Sequence, residues 1–464
     1  MTPTVKNPDM ASISDLVSRL RGKIILPCDM EYDECRKIWN AMIDRRPALI
    51  VRCMGTADVV NSIKFARENK FLVSVRGAGH NIAGMSLADG AMLIDLSLMK
   101  GVWVNPHSRT AFVLPGATLG DLDCETQAYG LATPLGIAST TGISGLTLGG
   151  GFGWLSRSYG LTADNLLSAE VVTADGNVLQ ASEKENTDLF WALRGGSGNF
   201  GIITSFLFKL YPVGPKLLTG LIVHPFEDAN KILRHYRSFT SSAPNEATCW
   251  AILRKAPPLP FLPPEVHGKE VIILAVVYAG DMKEGEKVLE PLRCFGNPIA
   301  DVICPTPFTA WQKAFDPLLT PGVRNYWKSN NHTQLADELL DILIEYTRQL
   351  PSTATEIFIG QLGGAINRVA TVATAYPHRK ANYVFTVHTR WENSADDKTC
   401  MEWSKKLFDA TDTYSSGGVY VNFISEGENR IAAAFGSNYE RLAKIKSKYD
   451  PDNFFRVNQN IVPA

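Results

Sequence analysis

Short apolar runs alternate with amphipathic segments between about residue 34 and residue 215. Two segments carry apolar residues at three- and four-residue spacing and predict helices, "TADVVNSIKFARENK" and "TLGDLDCETQAYG". Thr56 opens the first of these helices as its expected N-cap, with Asp58 in the first turn. Runs rich in β-branched residues predict strands: "ALIVRCM", "LVSVRG", "AMLIDLS" and "TAFVLPGA". The pattern indicates an α+β or α/β ligand-binding domain.

The pattern changes after "FKLYPVGP", which ends at Pro215. Longer strands are predicted there, separated by helices such as "QLADELLDILIEYTRQL"; they are "LTGLIVHPF", "ATCWAILRKA", "EVIILAVVYAG", "EIFIGQLGG" and "NYVFTVHTRW". Several long strands with helices to one side favour an antiparallel sheet with one helical face. The last residues, 438–464, predict a basic amphipathic helix, an Asp-Pro stop and an irregular end.

The segment at residues 136–162, "GIASTTGISGLTLGGGFGWLSRSYGLT", is unusually dense in glycine. Ordering so many glycines costs conformational entropy, and close approach of the backbone to a ligand, above all to phosphate, is the usual reason for it. A flexible linker is the alternative, but Phe152, Trp154 and Leu155 interleave with the glycines. Linkers are not normally so apolar. We therefore expect a ligand-binding segment.

Composition narrows the classes of partner. The chain of 464 residues is long enough for two or three domains, and its 46 Lys plus Arg residues balance 47 Asp plus Glu. We expect no nucleic acid partner, because no dense basic run is present. The first thirty residues contain neither a signal-peptide core nor a membrane span, which predicts a soluble, cytoplasmic protein that does not bind membranes. Eight scattered cysteines without a C-x-x-C pair, and the lack of His/Asp/Glu spacing, predict no metal site and no disulfide framework.

Two short motifs match other enzyme classes only weakly. In "RGAGHNIAG", Gly77 and Gly79 fit the first two glycines of a dinucleotide fingerprint, but Ile82 stands where the third belongs. "GISGL" is similar to a hydrolase nucleophile elbow, but Leu146 replaces its last glycine. Neither class is favoured.

Taken together and in order, the motifs of the whole chain resemble one family. They are "VRGAGHNIAG", "VLPGATLGDL", "GIASTTGISGLTLGGGFGWLSRSYGLTADNL", "VVTADGNV", "ENTDLFWALRGGSGNFGIITSFLFKLYPVGP", "YVNF" and "YDPDNFFRVNQNIVP". This set is similar to the vanillyl-alcohol-oxidase/PCMH-type FAD-linked oxidases, and most to their berberine-bridge-enzyme-like branch, which includes hydroxynicotine and sugar oxidases. The resemblance implies an α+β fold: a PCMH-type FAD-binding domain of two α+β subdomains, plus a substrate domain with an antiparallel sheet covered by helices. The implied domains are FAD-binding at 1–215, substrate-binding at 216–415, and a C-terminal return to the FAD domain at 416–464.

The resemblance also assigns the cofactor, FAD. In this family the histidine of the matching motif carries the flavin through its 8α-methyl carbon, and His80 holds that position. Several relatives add a second bond from a cysteine at the place of Ala138, so a single covalent link and no cysteine link are expected here. The other implied FAD contacts are Arg76, Gly77, Ala78, Gly79, Asn81, Gly84, Gly116, Thr140, Thr141, Gly142, Gly145, Leu146, Gly149, Gly150, Gly151, Gly153, Trp154, Asn165, Gly201, Ile202, Asn458 and Asn460.

Catalysis by a flavin oxidase requires a C–H aimed at the flavin and usually a group that takes a proton from the substrate. In sugar-oxidising relatives a tyrosine near the C-terminus does this, and Tyr420 matches it. A tyrosine needs a nearby cation or hydrogen-bond donors to act as a base, and a core aromatic on a strand is the alternative for Tyr420. Asn422 would share its face, and Gln361 and Lys328 are further catalytic candidates lining the pocket.

Two more polar residues, His388 and Arg390, share one strand face in "VHTR". Substrate binding and a solvated sheet edge both fit this placement, and we favour the solvated edge, as for His332.

The sequence therefore predicts an FAD-dependent oxidase. It would oxidise a small organic substrate (alcohol, amine or sugar-like) by hydride transfer, with O2 as electron acceptor and H2O2 as product. A dehydrogenase of the same fold with another acceptor, and a flavin- or nucleotide-binding protein without turnover, are the alternatives. Aromatic residues such as Trp327 suit an aromatic ligand, although sugars also stack on aromatic rings. Substrate identity and oligomeric state stay open.

Overall fold

The computed structural model describes residues 10–464. Its α-helices are α1 Met10–Ser18, α2 Tyr32–Cys35, α3 Thr56–Glu68, α4 Leu119–Gln127, α5 Ile143–Leu148, α6 Ser156–Tyr159, α7 Thr187–Leu193, α8 Ala229–Ser242, α9 Met282–Arg293, α10 Phe308–Gln312, α11 Asp337–Thr347, α12 Ala365–Arg368, α13 Asp397–Thr411, α14 Ile431–Phe435 and α15 Tyr439–Tyr449. Its strands are β1 Lys23–Ile25, β2 Leu49–Arg52, β3 Val73–Arg76, β4 Met92–Asp95, β5 Val102–Asn105, β6 Thr110–Val113, β7 Leu131–Ala132, β8 Leu166–Val172, β9 Val178–Ser182, β10 Ile202–Lys209, β11 Tyr211–Pro212, β12 Lys216–Pro225, β13 Ala247–Lys255, β14 Glu270–Tyr278, β15 Ala300–Asp301, β16 Cys304–Pro307, β17 Arg324–His332, β18 Glu356–Gln361 and β19 Tyr383–Trp391.

The first sheet has the order β1-β2-β4-β3. Strands β2, β3 and β4 run parallel, and β1 pairs antiparallel with β2. The parallel arrangement is possible because α3 crosses over between β2 and β3. Arg76 at the end of β3 pairs in register with Asp95 at the end of β4. This edge carries the loop that starts at residue 77.

The second sheet is antiparallel, with the order β5-β6-β10-β8-β9. Phe206 and Phe208 of β10 are fully buried in a core that also contains Trp191 of α7. Residues of the C-terminal segment, among them Val419 and Leu442, belong to the same core. The end of the chain therefore packs back against the domain that the first half builds.

The third sheet has eight strands, with the order β15-β12-β14-β13-β18-β19-β17 and β16 beside β12. All its pairings are antiparallel. Side chains on one face, such as Leu253 and Ile357, pack with α8, α11 and α13. The opposite face carries Trp250, Phe358 and Val384 and packs on the glycine-rich segment around Phe152. One face of this sheet is thus helical, and the other covers the first half of the molecule.

These observations confirm the predicted fold class, while the domain limits at 215 and 415 stay a prediction. Two local expectations were wrong. Gly55, not Thr56, occupies the N-cap position of α3, and the segment around Tyr420, an expected strand in the alternative interpretation, is a 3₁₀ turn at Val421–Phe423. Strand β17 was not predicted, because polar residues interrupt its apolar pattern in "RNYWKSNNH". No helix within residues 10–464 is long and apolar enough to cross a membrane.

Candidate functional site

The loop after β3 lies close to the start of α5. A Cβ atom at Gly142 would come within 2.8 Å of the Ala78 Cβ, and one at Gly77 within 3.2 Å of the Pro115 carbonyl oxygen. Gly79 has a φ of +71°, which favours glycine. Gly142 needs to be glycine because Ala78 approaches it so closely, and Gly77 because the Pro115 carbonyl lies against it. The resulting notch brings backbone groups of both segments to one place, as a phosphate-binding loop requires.

A buried ion pair anchors this loop from behind. Asp95 is fully buried, and its carboxylate accepts hydrogen bonds from the Arg76 Nη2 and Nε at 2.8 and 3.1 Å. Asp95 also accepts from Arg52 and from the backbone and side chain of Ser97. Burial alone would raise the pKa of Asp95, but the Arg76 hydrogen bond and charge together with Ser97 lower it. Arg76 therefore positions the loop and does not line the cavity beside it.

A large cavity begins at this notch. Its empty space amounts to about 1840 Å³ including the part open to solvent. Residues from the loop, from α5, from the β10 edge, from the third sheet and from the C-terminal segment line it. Predicted site residues that line it are Gly77, Ala78, Gly79, His80, Asn81, Thr141, Gly142, Gly145, Leu146, Gly201, Ile202, Asn458, Tyr420 and Asn422. The structure thus brings together segments that are up to about four hundred residues apart in sequence.

Seven aromatic side chains form a closed series of ring contacts in the cavity wall. The centroids of neighbouring rings lie 4.1 to 6.3 Å apart, which is the usual spacing of offset-stacked or edge-to-face aromatic pairs. The series runs Phe152, Trp250, Phe358, His388, Trp327, Phe423, Tyr420 and back to Phe152. We call these seven residues the aromatic cup. The cup offers flat apolar walls to whatever enters the cavity.

His80 lies next to the aromatic cup, and the ring of Trp39 separates the two. Its imidazole stacks on Trp39 at 4.4 Å, and Trp39 contacts Trp327 edge-on at 5.7 Å. Burial, assisted by the charge of Arg390, lowers the pKa of His80 to about 4, although a hydrogen bond to its own backbone acts in the opposite direction. The His80 Nε2 is buried and has no hydrogen-bond partner among the described residues. His80 is therefore a neutral imidazole that lines the cavity and has one nitrogen without a partner in the described structure.

The Tyr420 hydroxyl faces the cavity with its oxygen already used as an acceptor. It accepts hydrogen bonds from the Gly151 backbone N–H at 3.1 Å and from the Asn422 Nδ2 at 2.9 Å. Burial raises the pKa of Tyr420 to about 12, even though these two donors lower it. Tyr420 is thus protonated at neutral pH, and no protein atom within residues 10–464 accepts its hydroxyl proton. That proton is available to a ligand.

The C-terminal segment contributes amide side chains. Asn458 donates to the carbonyls of Gly198 and Phe455, and Gln459 lines the cavity beside it. The Asn458 Oδ1 and the Gln459 Nε2 are buried without partners in the described chain. Lys446 holds this segment in place, because its buried ammonium donates to the Phe455 carbonyl at 2.9 Å. Unpaired buried polar atoms are costly, so their convergence on one cavity indicates a polar ligand.

The remaining predicted site residues do not line the cavity. They are Arg76, Gly84, Gly116, Thr140, Gly149, Gly150, Gly151, Gly153, Trp154, Asn165, Asn460, Gln361 and Lys328. Several of these glycines serve close packing instead: a Cβ at Gly153 would lie 2.0 Å from the Leu135 carbonyl oxygen, and one at Gly116 2.1 Å from that of Leu96. Trp154 supports the cup from behind by stacking on Trp250 at 4.2 Å.

Two of these residues lie outside the cavity for different reasons. Asn165 donates to the carbonyls of Tyr159 and Leu161, and Thr140 is exposed. These two residues shape or border the glycine-rich segment without reaching the cavity.

Strand alternation explains why Gln361 and Lys328 lie elsewhere. Successive side chains of a strand point to opposite faces, and both residues fall on the helical face of the third sheet. Gln361 accepts from the Cys249 backbone N–H and donates to the Thr240 carbonyl, while Lys328 pairs with Glu428 at 3.2 Å. Both satisfy their polar groups inside the protein. Their expected place in the pocket was wrong.

Several cavity residues were not among the predicted site residues. Trp39, Trp250, Phe358 and Phe423 line the cavity, and no local signal in the sequence distinguishes them from core aromatics. Phe152 also lines it, and the expected ligand-binding segment contains this residue. The expected solvated positions of three polar residues were also wrong: His332, His388 and Arg390 have exposures of 0, 5 and 2%. Of these three, His388 lines the cavity. Its strand parity, shared with Phe358 and Trp250 through the register, was the signal that could have placed it there.

Comparison with known proteins agrees with this arrangement. Residues 47–182 match the family model of an FAD binding domain, and residues 419–462 match the family model described as berberine and berberine like. The chain is 32% identical to the FAD-linked oxidoreductase YgaK of Bacillus subtilis, over 96% of this chain and 98% of the relative. It is 29% identical to (R)-6-hydroxynicotine oxidase of Paenarthrobacter nicotinovorans, over 96% of this chain and 97% of that relative.

A solved structure shows the same fold over the full length. The crystal structure of 6-hydroxy-D-nicotine oxidase from Arthrobacter nicotinovorans matches with a TM-score of 0.87 and 26% identity, and covers 100% of both chains. The close glycine notch, the free His80 nitrogen and the unpaired amide groups fit an FAD in this cavity. The chain belongs to the berberine-bridge-enzyme-like family of FAD-linked oxidoreductases.

Proposed function

We propose that this oxidoreductase is an oxidase that carries FAD on His80 and oxidises a small, ring-bearing amine or alcohol, with O2 as electron acceptor and H2O2 as product. The observation that carries the proposal is the position of His80. His80 lines the cavity as a neutral imidazole whose Nε2 has no partner in the described structure, and only Trp39 separates it from the aromatic cup. A cofactor bound at this histidine would reach the cup, where a substrate would be enclosed.

The covalent link needs a nucleophilic nitrogen, which His80 supplies. A pKa of about 4 keeps the imidazole neutral at physiological pH, and stacking on Trp39 restrains the ring. The Nε2 is the nitrogen without a hydrogen-bond partner in the described structure, so it is the atom that would form the bond. Ala138 lines the cavity at the place of the cysteine in relatives with two bonds, and none of the cavity-lining residues is a cysteine. A single link follows.

The other contacts to the cofactor come from three segments. The notch at Gly77 and Gly142 would hold the pyrophosphate through backbone N–H groups. Gly201 and Ile202 would lie at the adenine side, and Asn458 would offer its unpaired Oδ1 to the ribityl or pyrimidine part. When bound, FAD supplies the two-electron acceptor for the substrate hydride.

The aromatic cup would bind the substrate. Its rings exclude water and present flat faces, which suits a planar or saturated ring next to the oxidised carbon. Tyr420 is a hydrogen-bond donor to the substrate in this proposal, because both donors on its oxygen leave only its proton free. The similarity to (R)-6-hydroxynicotine oxidase, which by its name acts on a ring-bearing amine, supports the same class of substrate.

The experiment begins with the purified protein. A yellow protein whose flavin stays with the polypeptide after acid precipitation is expected, together with loss of that link in His80→Ala. His107→Ala, which changes an exposed histidine, is the matched control. A panel of (R)-6-hydroxynicotine, vanillyl alcohol and cellobiose is then tested for H2O2 release with a peroxidase-coupled dye.

Each part of the proposal has its own contradicting result. Flavin released by acid from the wild type would remove the covalent link. Rapid bleaching of the flavin by a panel compound, followed by slow reoxidation in oxygenated buffer, would show a dehydrogenase in place of an oxidase. A protein that binds no flavin would remove the proposal altogether.

A further inference from the structure

The face of the third sheet that covers the cavity carries a polar row among its aromatic side chains. The register places Arg254 of β13 beside Glu356 of β18, and Glu356 beside His388 of β19. All three are on the face that also presents Phe358 and Trp250, since paired residues in neighbouring strands point the same way. The row therefore leads from the sheet interior to the cavity wall at His388.

Contacts along the row determine which nitrogen of His388 carries the proton. The Arg254 Nη1 lies 2.7 Å from the Glu356 Oε2, and the His388 Nδ1 lies 3.2 Å from the Glu356 Oε1. Burial would raise the pKa of Glu356, but the charge of Arg254, then the His388 hydrogen bond, lower it to about 2. Glu356 is thus a carboxylate that can only accept, so the His388 Nδ1 must donate.

In the neutral imidazole, the free lone pair is therefore on the His388 Nε2. This atom is buried and has no hydrogen-bond partner in the part of the chain that the structure describes. The imidazole is restrained on both sides, by Trp327 at 4.1 Å and by Phe358 at 5.6 Å. An imidazole that is oriented by a carboxylate and unpaired at its second nitrogen has the arrangement of a general base.

His388 and Tyr420 both contact the ring of Phe423, whose centroid is 6.0 Å from the His388 ring and 4.9 Å from the Tyr420 ring. Tyr420 offers a proton and His388 offers a lone pair. A substrate in the aromatic cup can therefore accept one hydrogen bond and donate another.

We propose that the His388 Nε2 takes the proton from the substrate N–H or O–H during oxidation, and that Glu356 positions the imidazole and stabilises the imidazolium. The inference rests on the proposed function, because the hydride leaves to the bound FAD. The substrate C–H bond breaks with its electron pair leaving as hydride, the N–H or O–H bond breaks with its proton going to His388, and the electrons of that bond form the new C=N or C=O bond. The charged groups that face Glu356 and His388 are Arg254 and Arg390. Arg254 pairs with Glu356, and Arg390 donates a hydrogen bond to the Thr320 carbonyl.

The first test measures the reactivity of the His388 Nε2 directly and requires no turnover. 2-Bromoacetophenone, an aromatic alkylating reagent, is incubated with the holoenzyme, and the modified peptides are identified by mass spectrometry. Its carbon bonds to the imidazole nitrogen as bromide leaves. Alkylation of His388 is expected, and at least a tenfold slower reaction in Glu356→Gln, where the neutral amide no longer supports the developing positive charge.

His332 is the internal reference for this experiment. It is buried on the neighbouring strand with an unpartnered Nε2 in the described structure, but it does not line the cavity. Modification of His388 with His332 unmodified supports the proposal. A holoenzyme in which His388 is not alkylated overturns it.

The second test measures the rate of the chemical step as the rate of flavin bleaching. The panel compound that bleaches the flavin fastest is mixed anaerobically with wild type, His388→Gln, Glu356→Gln and His332→Gln, over a range of pH. A loss of about 10²- to 10⁴-fold in the bleaching rate is expected for His388→Gln, with less than threefold for His332→Gln. The rate in the wild type should fall as pH decreases, and this acid limb should move to lower pH in Glu356→Gln.

The outcomes separate the two proposals. Bleaching of the wild type with an equal rate in His388→Gln, at an unchanged visible flavin spectrum, refutes the role of His388 and leaves the oxidase intact. A wild type that no panel compound bleaches, although His388 is alkylated as expected, counts against the proposed substrate class. An acid limb that is unchanged in Glu356→Gln refutes the positioning role of Glu356.

Discussion

Replacement of Asp95 by asparagine would test how the loop before His80 is anchored. The Asp95 carboxylate accepts five hydrogen bonds, two from Arg76, one from Arg52 and two from Ser97, at 2.8 to 3.2 Å. The substitution keeps the shape of the side chain but leaves the buried Arg76 guanidinium without its counter-charge. Removal of one partner of a buried ion pair destabilises a protein by about 3–5 kcal/mol. We expect that loss in Asp95→Asn.

The assay is urea unfolding of the holoenzyme, followed by tryptophan fluorescence and by flavin absorbance. Asp452→Asn is the matched control, because the Arg67–Asp452 pair has a similar distance of 2.9 Å but a carboxylate that is 67% exposed. Exposed pairs contribute about 0–1 kcal/mol. A change below 1 kcal/mol in Asp95→Asn, equal to that of the control, would refute the reasoning. Lower flavin content in Asp95→Asn is a second expected result, since residue 76 directly precedes the cofactor loop.

The pH dependence follows from the direction of the pKa shift of Asp95. Its folded-state pKa lies below the unfolded value of about 3.9. The stability that it contributes is therefore fully present above that unfolded value and is lost as pH falls through the folded pKa. Unfolding at fixed urea, measured from pH 6 down to pH 2, should show a smaller acid destabilisation in Asp95→Asn. An equal slope in both proteins would mean that other carboxylates account for acid unfolding.

Three further predictions address the cavity. Tyr420→Phe should lower kcat/KM about two- to tenfold, the value of one hydrogen bond of about 0.5–1.5 kcal/mol; a loss of 10²-fold or more would make Tyr420 the base. Gly142→Ala should reduce flavin incorporation, measured from the visible to ultraviolet absorbance ratio, because its Cβ would lie 2.8 Å from Ala78. Gly55→Ala is the control, since a Cβ there meets nothing within 4 Å, and equal flavin content in both would contradict the close packing. Lys446→Met should destabilise by about 3–5 kcal/mol in urea unfolding, because a buried ammonium with three acceptors at 2.6 to 2.9 Å is lost; wild-type stability would disprove it.

Residues that the resemblance assigned to FAD binding lie together in the structure, and their contact with the cofactor stays a prediction. The glycines at 77, 79 and 142, His80, and the amide at Asn458 all lie at one cavity, as the resemblance implied. Backbone approach requires glycine at particular positions, so such a loop is visible as a dense local pattern. The same density of glycine also led to predicted FAD contacts at neighbouring positions that do not line the cavity. Gly116 and Gly153 are glycine because another backbone carbonyl lies against them, and sequence alone does not distinguish that cause from ligand contact.

The positions of polar residues in the third sheet were poorly predicted, because they depend on strand parity and on pairing inside the protein. Gln361 and Lys328 stood out as polar residues among apolar ones, yet each is an internal partner on the helical face of the third sheet. His388 was expected at a solvated edge, although it lies in the cavity wall. Whether a strand residue faces solvent, helices or a cavity depends on which elements cover each face, and those elements are distant in sequence.

By itself the sequence predicted the α+β class and, through the resemblance of its motifs to one family, the cofactor type and the loop that bears His80, because such motifs are short runs of residues whose local geometry is nearly obligatory. Only the tertiary structure decided which aromatic rings form the cup, which nitrogen of His80 is free, and that Glu356 directs His388 towards the cavity. Those properties arise from pairs of residues that the chain brings together across many residues of sequence. Their distances and burial, on which the chemistry depends, exist only after the three sheets have packed.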